Sequence, residues 1–259
     1  MTERHEYSDG APCWVDLTTP DLAGAQRFYG GLFGWTFDEG RPELANYVNC
    51  RLDGGRVAGV MPIPPGRDMP TVWGVHFKSS DIAAAARRIA AAGGTVVMPP
   101  HAVADLGSMM LATDPTGALF GVWQPAAHRG AKTFAAPGAM CWHELNTRDG
   151  AAADRFYRAV FDHEQAPLAG CTGMDYARYS RDGRPVCGRL QMTAAWGDLP
   201  SHWMTYFAVA DVDAAAARLR ALDGRLLHGP LDTPLGAMAV AADPYGAVFA
   251  IARRAGEPA

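Results

Sequence analysis

The stretch CWVDLTTPDLAGAQRFYGGLF, residues 13–33, returns as CWHELNTRDGAAADRFYRAVF, residues 141–161. Eleven of the twenty-one positions are identical at an offset of 128, which marks an internal repeat. The match continues downstream. Trp73 and Phe77 pair with Trp203 and Phe207, Asp81 with Asp211, Leu106-Gly107-x-Met109 with Leu235-Gly236-x-Met238, and Asp114-Pro115-x-Gly117 with Asp243-Pro244-x-Gly246. The spacing predicts two homologous units, 10–125 and 138–254, joined by a Pro-, Ala- and Gly-rich linker at 126–137.

Each unit divides again. Residues 13–17 alternate like a strand. Asp21 is an N-cap, since its carboxylate can accept orphan backbone N–H groups. Leu22, Ala25, Phe28, Tyr29, Leu32 and Phe33 then share one helical face, and Gly34 is a stop. Strands follow near 46–51 and 56–63. The order restarts with a strand at 72–78, an Asp81 cap, a helix at 82–92, a Gly93-Gly94 stop, and strands near 95–98, 108–113 and 118–123. Strand, helix and three strands therefore occur four times.

Composition excludes several classes. Of 259 residues, 49% are hydrophobic and 19% charged, with 23 basic against 27 acidic side chains and a net charge of −4. That balance argues against a nucleic-acid partner. No apolar run is long enough for a membrane span, and Met1–Gly10 lacks a secretory core, so a cytoplasmic location is expected. Five cysteines, with no C-x-x-C pair, point to small core hydrophobes rather than disulfides or a thiolate zinc site. P-loop, G-x-G-x-x-G, G-x-S-x-G and H-E-x-x-H signatures do not occur.

The βαβββ pattern, the helix ending Arg27-Phe28-Tyr29-x-x-Leu32-Phe33-Gly34 and the Asp114-Pro115-x-Gly117 turn, each of them repeated, resemble the vicinal-oxygen-chelate superfamily of glyoxalases, bleomycin-resistance proteins and extradiol dioxygenases. The likeness is greatest to its actinobacterial tandem subgroup, loosely labelled hydroxylase or glyoxalase. The resemblance implies an α+β fold. Four βαβββ modules would form two tandem glyoxalase-like domains, with curved mixed sheets, helices on the convex faces and a cavity on each concave face.

Metal-using members place ligands at positions that correspond here to Trp14, Gly74 and Gly121 in the first unit and to Trp142, Met204 and Ala250 in the second. None of these is a usual ligand of a hard or borderline divalent ion. No metal and no other cofactor is therefore expected.

Strand alternation sets what faces the cavities instead. Trp14 shares a face with Asp16, Trp142 with Glu144, Gly74 with His76, Met204 with Tyr206, and Gly121 with Trp123. Small residues at Gly74, Gly121 and Ala250 are expected to leave room for a flat apolar ligand beside these aromatics. Met109 and Met238 are candidates for the cavity mouth. Trp73 and Trp203 have the opposite parity and should pack on the helices, and Tyr29 and Tyr157, which lie on helices, are expected in the core. Asp16 and Glu144 are acids within apolar strands, which need partners. Two readings stay open: carboxylates held structurally by an indole, tyrosine or arginine, or a general acid/base, with His76 assisting in the first unit. His143 has the parity of a packing residue. His5, His101, His128, His163 and His228 lie in polar or loop contexts and are expected to be exposed. The D-P-x-G turns are structural.

The leading expectation is a metal-independent protein that binds a small aromatic or hydrophobic molecule. The alternatives are a metal-free isomerase, lyase or hydroxylase-like enzyme using Asp16 and Glu144, a metal enzyme with ligands relocated to Asp16, His76 or Glu144, and a regulatory protein that binds another protein. A covalent tandem can complete its own cavities, so a monomer is expected, with a homodimer as the alternative.

Overall fold

The computed structural model describes residues 2–3, 6–168, 173–233 and 235–254. Among them are four helices: α1 (Leu22–Phe33), α2 (Ile82–Ala91), α3 (Gly150–Phe161) and α4 (Val212–Ala221). Asp21, Asp81, Asp149 and Asp211 cap them, each accepting from the backbone N–H three residues on. Gly34 closes α1 at φ 74°, the left-handed region that glycine enters without steric cost.

The strands of each unit form one eight-stranded mixed sheet. The first has the order Thr36–Phe37, Val48–Leu52, Gly55–Pro62, Pro12–Thr19, Val72–Lys78, Leu119–Pro125, Gly107–Thr113 and Thr95–Val103. The second repeats it with Glu164–Pro167, Tyr176–Arg181, Arg184–Gln191, Met140–Thr147, His202–Ala208, Val248–Arg254, Gly236–Ala242 and Arg225–Thr233. The two modules of a unit therefore join through their own first strands. In the first unit Trp14 lies opposite His76 and Asp16 opposite Gly74; in the second, Trp142 lies opposite Tyr206 and Glu144 opposite Met204. The strand expected near 95–98 runs on to Val103, because it is an edge strand and tolerates Pro99 and Pro100 at a register shift.

The helix-bearing faces of the two units pack on each other. α1 meets α4, and α2 meets α3. One core joins Phe28, Tyr29 and Phe33 to Phe207 and Phe249 of the other unit, and a second joins Phe77 and Phe120 to Phe156 and Phe161. Two matching hydrogen-bond relays cross this seam. Trp73 Nε1 donates to the Tyr29 hydroxyl at 3.0 Å, and Tyr29 donates to Asp243 Oδ2 at 3.1 Å. Trp203 donates to Tyr157 at 2.9 Å, and Tyr157 to Asp114 Oδ2 at 3.1 Å. The other oxygen of each Asp holds its D-P-x-G turn, Asp114 accepting from the Thr116 and Ala118 amides and Asp243 from those of Tyr245 and Ala247. The turn that helps to identify the fold is also the acceptor that locks one unit to the other.

The joint at 126–137 is more than a spacer. Thr133–Phe134 pairs with Thr2–Glu3, and the Tyr7 hydroxyl donates to the Ala131 carbonyl at 2.9 Å. His128 within it is buried rather than exposed, because it wedges against the first sheet; His163 is also buried, with Nε2 on the Gly10 carbonyl at 2.8 Å. His101 and His228 are exposed, and His143 is buried. Cys13, Cys50, Cys141 and Cys187 are buried free thiols, while Cys171 and His5 lie outside the described residues. No described helix is long and apolar enough to cross a membrane.

Tyr29→Phe should lower stability by about 1–3 kcal/mol, since it strands a buried indole N–H and a buried carboxylate oxygen. Urea unfolding of the two proteins measures the difference, and equal midpoints would show that the relay contributes nothing.

Candidate functional site

Helix packing covers only one face of each sheet. Trp73, Trp203, Tyr29 and Tyr157 occupy the covered side, as their parity requires. The residues of opposite parity gather on the helix-free faces.

In the first unit, Trp14 Nε1 donates to the Tyr47 hydroxyl at 2.7 Å, and Tyr47 donates to Asp16 Oδ2 at 3.5 Å. His76 Nε2 donates to Asp16 Oδ1 at 3.0 Å. In the second unit, Trp142 Nε1 donates to Tyr176 at 3.0 Å, and Tyr206 donates to Glu144 Oε1 at 3.0 Å. The same set of indole, phenol and acid thus recurs, with His76 in one copy where Tyr206 stands in the other.

These bonds account for the two acids. A carboxylate on an apolar strand loses its hydration and needs donors, and each receives them from a neighbouring strand. Tyr47 and Tyr176 were not among the residues singled out from sequence, yet they recur at an offset of 129, as do Gly59 and Gly188 beneath them. A Cβ at Gly59 would lie 1.8 Å from the Tyr47 hydroxyl oxygen, and one at Gly188 would lie 2.0 Å from that of Tyr176. The glycines let these phenols cross the sheet, Tyr47 to reach Asp16 and both to meet an indole.

The small residues of the first unit therefore do not leave the open room expected of them. A Cβ at Gly121 would meet His76 Nδ1 at 2.1 Å, and one at Gly74 would meet Asp16 Oδ1 at 3.0 Å. The imidazole lies over Gly121 because a side chain there would displace it. Trp123 donates to the His128 carbonyl at 2.8 Å, and the His128 ring stands edge-on to Trp14 at 4.3 Å. The joint between the units thus forms one wall of the first face. Met204 is buried opposite Glu144, and Tyr206 is opposite Ala250. Met109 pairs with Trp123, and Met238 with Ala252, both half-buried on the helix-free side.

The two faces differ electrostatically. Burial raises Glu144 from the ordinary 4.5 to about 7, against the opposing bond from Tyr206. Burial works against a charge on His76, but the charge of Asp16 and its hydrogen bond outweigh it and raise the imidazole pKa. Burial, the Arg56 cation and His76 lower His128 to about 4, so it is neutral at pH 7.

The positions that the resemblance assigns to metal ligands carry indoles at Trp14 and Trp142, a thioether at Met204, a methyl at Ala250, and glycines at 74 and 121. That donor set does not suit a divalent ion held by imidazole and carboxylate. Among the described residues, no group of three or more His, Cys, Asp or Glu side chains is arranged to hold one.

Comparisons with known proteins agree with the fold. The family model of the Glyoxalase/Bleomycin resistance protein/Dioxygenase superfamily matches residues 13–122 and again 139–251, and the chain belongs to that family. It is 36% identical to the "Putative glyoxylase CFP32" of Mycobacterium tuberculosis, over 98% of this chain and 99% of that protein. It is 37% identical to "Anthracycline biosynthesis protein DauV" of Streptomyces sp. strain C5, over 95% of this chain and 94% of the relative. Among solved structures, the Mn(II)-bound glyoxalase of Novosphingobium aromaticivorans superposes with a TM-score of 0.66 at 18% identity, covering 95% of this chain and 82% of that one. The 2,2',3-trihydroxybiphenyl 1,2-dioxygenase of Sphingomonas wittichii RW1 has the same TM-score at 13% identity, covering 95% and 91%. At those identities the structural likeness concerns the fold alone.

Glu144 makes stability depend on pH. Its carboxyl binds a proton more tightly folded than unfolded, so its favourable contribution is complete below about pH 4.5 and is lost as pH rises to about 7. A shift of this size corresponds to about 3 kcal/mol. Glu144→Gln should flatten the fall in unfolding free energy between these pH values, as measured by urea titration at each pH. An unchanged slope would show that Glu144 does not carry it.

Proposed function

We propose that the chain binds a small aromatic or hydrophobic molecule against a helix-free face and does so without a metal. The observation that carries this reading is an indole, a phenol and an acid gathered at the same place in both units, where the positions that the resemblance assigns to metal ligands hold Trp, Gly, Met and Ala. Indole and phenol rings offer stacking surfaces, and an aromatic pair contributes about 0.5–1.5 kcal/mol beyond area burial. The names of the relatives, a glyoxylase and a protein of anthracycline biosynthesis, support a role in small-molecule metabolism. Protein purified without chelator should contain far less than one equivalent of Zn, Mn, Ni or Fe by elemental analysis. One tightly held equivalent would overturn the metal-independent reading.

A second reading, acid–base catalysis on the same face, is favoured by one observation: a carboxyl near 7, as in Glu144, can give or take a proton at neutral pH. Here Glu144 or Asp16 would exchange a proton with an activated C–H or hydroxyl of the bound molecule. The double variant Asp16→Asn with Glu144→Gln separates the two readings, assayed on whatever metabolite co-purifies with the protein. Lost conversion with retained binding supports catalysis, and undiminished conversion rejects the acid–base assignment.

A further inference from the structure

The two helix contacts between the units follow one plan and are filled differently. Where α4 ends against α1, side chains close the gap. Leu222, the C-cap of α4, lies over Gly31, where a Cβ would come within 2.9 Å of both its methyl carbons. Tyr245, in the Asp243 turn, lies over Gly24, where a Cβ would come within 1.6 Å of its hydroxyl oxygen. That hydroxyl donates to Asp21 Oδ2 at 2.8 Å, while Asp21 Oδ1 caps α1. The chain of one unit thus plugs the groove beside the helix of the other.

Where α2 ends against α3, the plugs are missing. At the offsets of the repeat, Ala92, the C-cap of α2, stands for Leu222, and Thr116 stands for Tyr245. Thr116 turns back and donates to Asp114 Oδ1 of its own turn at 2.7 Å. Ala152 and Ala159 stand for Gly24 and Gly31, and their two methyl groups return only part of the volume lost. A hollow of about 320 Å³ remains, lined by Ala92, Pro115, Ala152, Phe156 and Ala159, with Arg155 among them. Pro115, Arg155 and Ala159 are exposed, so the hollow is open to solvent without any movement of the helices. Protein interiors leave few spaces of this size, because an unfilled wall forfeits its dispersion contacts.

The lining defines what would fill it. The walls are methyl groups, a pyrrolidine ring and a phenyl ring, which suit an apolar body. Arg155 makes no ion pair or side-chain hydrogen bond among the described residues. Its planar guanidinium has paired donors to offer a carboxylate. We propose that the hollow between α2 and α3 binds a small hydrophobic carboxylate, with its tail where the other contact seats Leu222 and its charge on Arg155. The ligand rests on Pro115, beside the Asp114 that receives Tyr157 across the seam, and so braces this contact as Leu222 and Tyr245 brace the other. The site is on the helix-covered side and is independent of the helix-free faces.

The test uses 4-methylpentanoate, whose tail matches the leucine side chain, and 4-methylpentanamide, which keeps the tail and loses the charge. NMR of the intact chain follows the methyl groups of Ala92, Ala152 and Ala159 and the Nε–H of Arg155. The carboxylate should shift these signals saturably, with a Kd of about 1–10 mM for so small a ligand, and leave the Trp14 and Trp142 indoles unmoved. It should bind about fivefold more tightly than the amide, as an exposed ion pair allows. Arg155→Gln should erase that preference while amide affinity stays. Ala92→Leu supplies the missing plug and should abolish binding of both compounds. The mapping on the unaltered protein stands even where a variant fails to fold. Equal affinities for the two compounds, or a preference that survives Arg155→Gln, would overturn the assignment of a carboxylate. Shifts centred on Trp14 or Trp142 would overturn the site, and no saturable shift with either compound would overturn the proposal as a whole. Neither of these last results bears on whether a helix-free face binds an aromatic molecule.

Discussion

A carboxyl group placed in the middle of an apolar strand has to be given hydrogen-bond donors, and the helix-free face of each unit is organised around that need. Asp16 is half-buried and Glu144 buried, and a phenol reaches each of them, Tyr47 from two strands away and Tyr206 from the adjoining strand. For Tyr47 to cross, the strand between must carry glycine, and Gly59 provides it, as Gly188 does for Tyr176. The indoles of Trp14 and Trp142 then find acceptors in the phenol oxygens. One acid per unit thus accounts for the identity of several residues around it.

The opposite faces of the sheets are fully engaged. Trp73–Tyr29–Asp243 and Trp203–Tyr157–Asp114 tie the helix side of each unit to a turn of the other, and aromatic clusters fill the space between. Each tyrosine donates to a carboxylate whose second oxygen is already fixed by its own turn. The seam is therefore directional as well as apolar, which sets the alignment of the two units more closely than area burial alone would.

Duplication followed by divergence explains the asymmetry of the faces. Replacing a tyrosine with a histidine at one register position exchanges a hydroxyl, which Glu144 satisfies, for a ring with two nitrogens, of which Asp16 satisfies one. The joint between the units lies only on the first face, where His128 packs on Trp14. Sheets of the same strand order thereby differ in the groups they present at this position.

Much of this was legible in the chain itself. The repeat at 13–33 and 141–161, the four Asp caps and the period-two alternation determine four modules, and they put Trp14, Asp16 and His76 on one side of a strand and Trp73 on the other, because helix capping and strand parity are local properties. Tyr47 and Tyr176 were also visible as a repeated pair, but nothing local links a tyrosine to an acid thirty residues away. The sequence by itself determined the architecture and the parity of each strand residue. Only the tertiary structure decided that glycines seat side chains instead of opening space, that His128 is buried in the first face, and that the modules of one unit share a sheet, since each depends on strand order and on contacts between segments far apart in the chain.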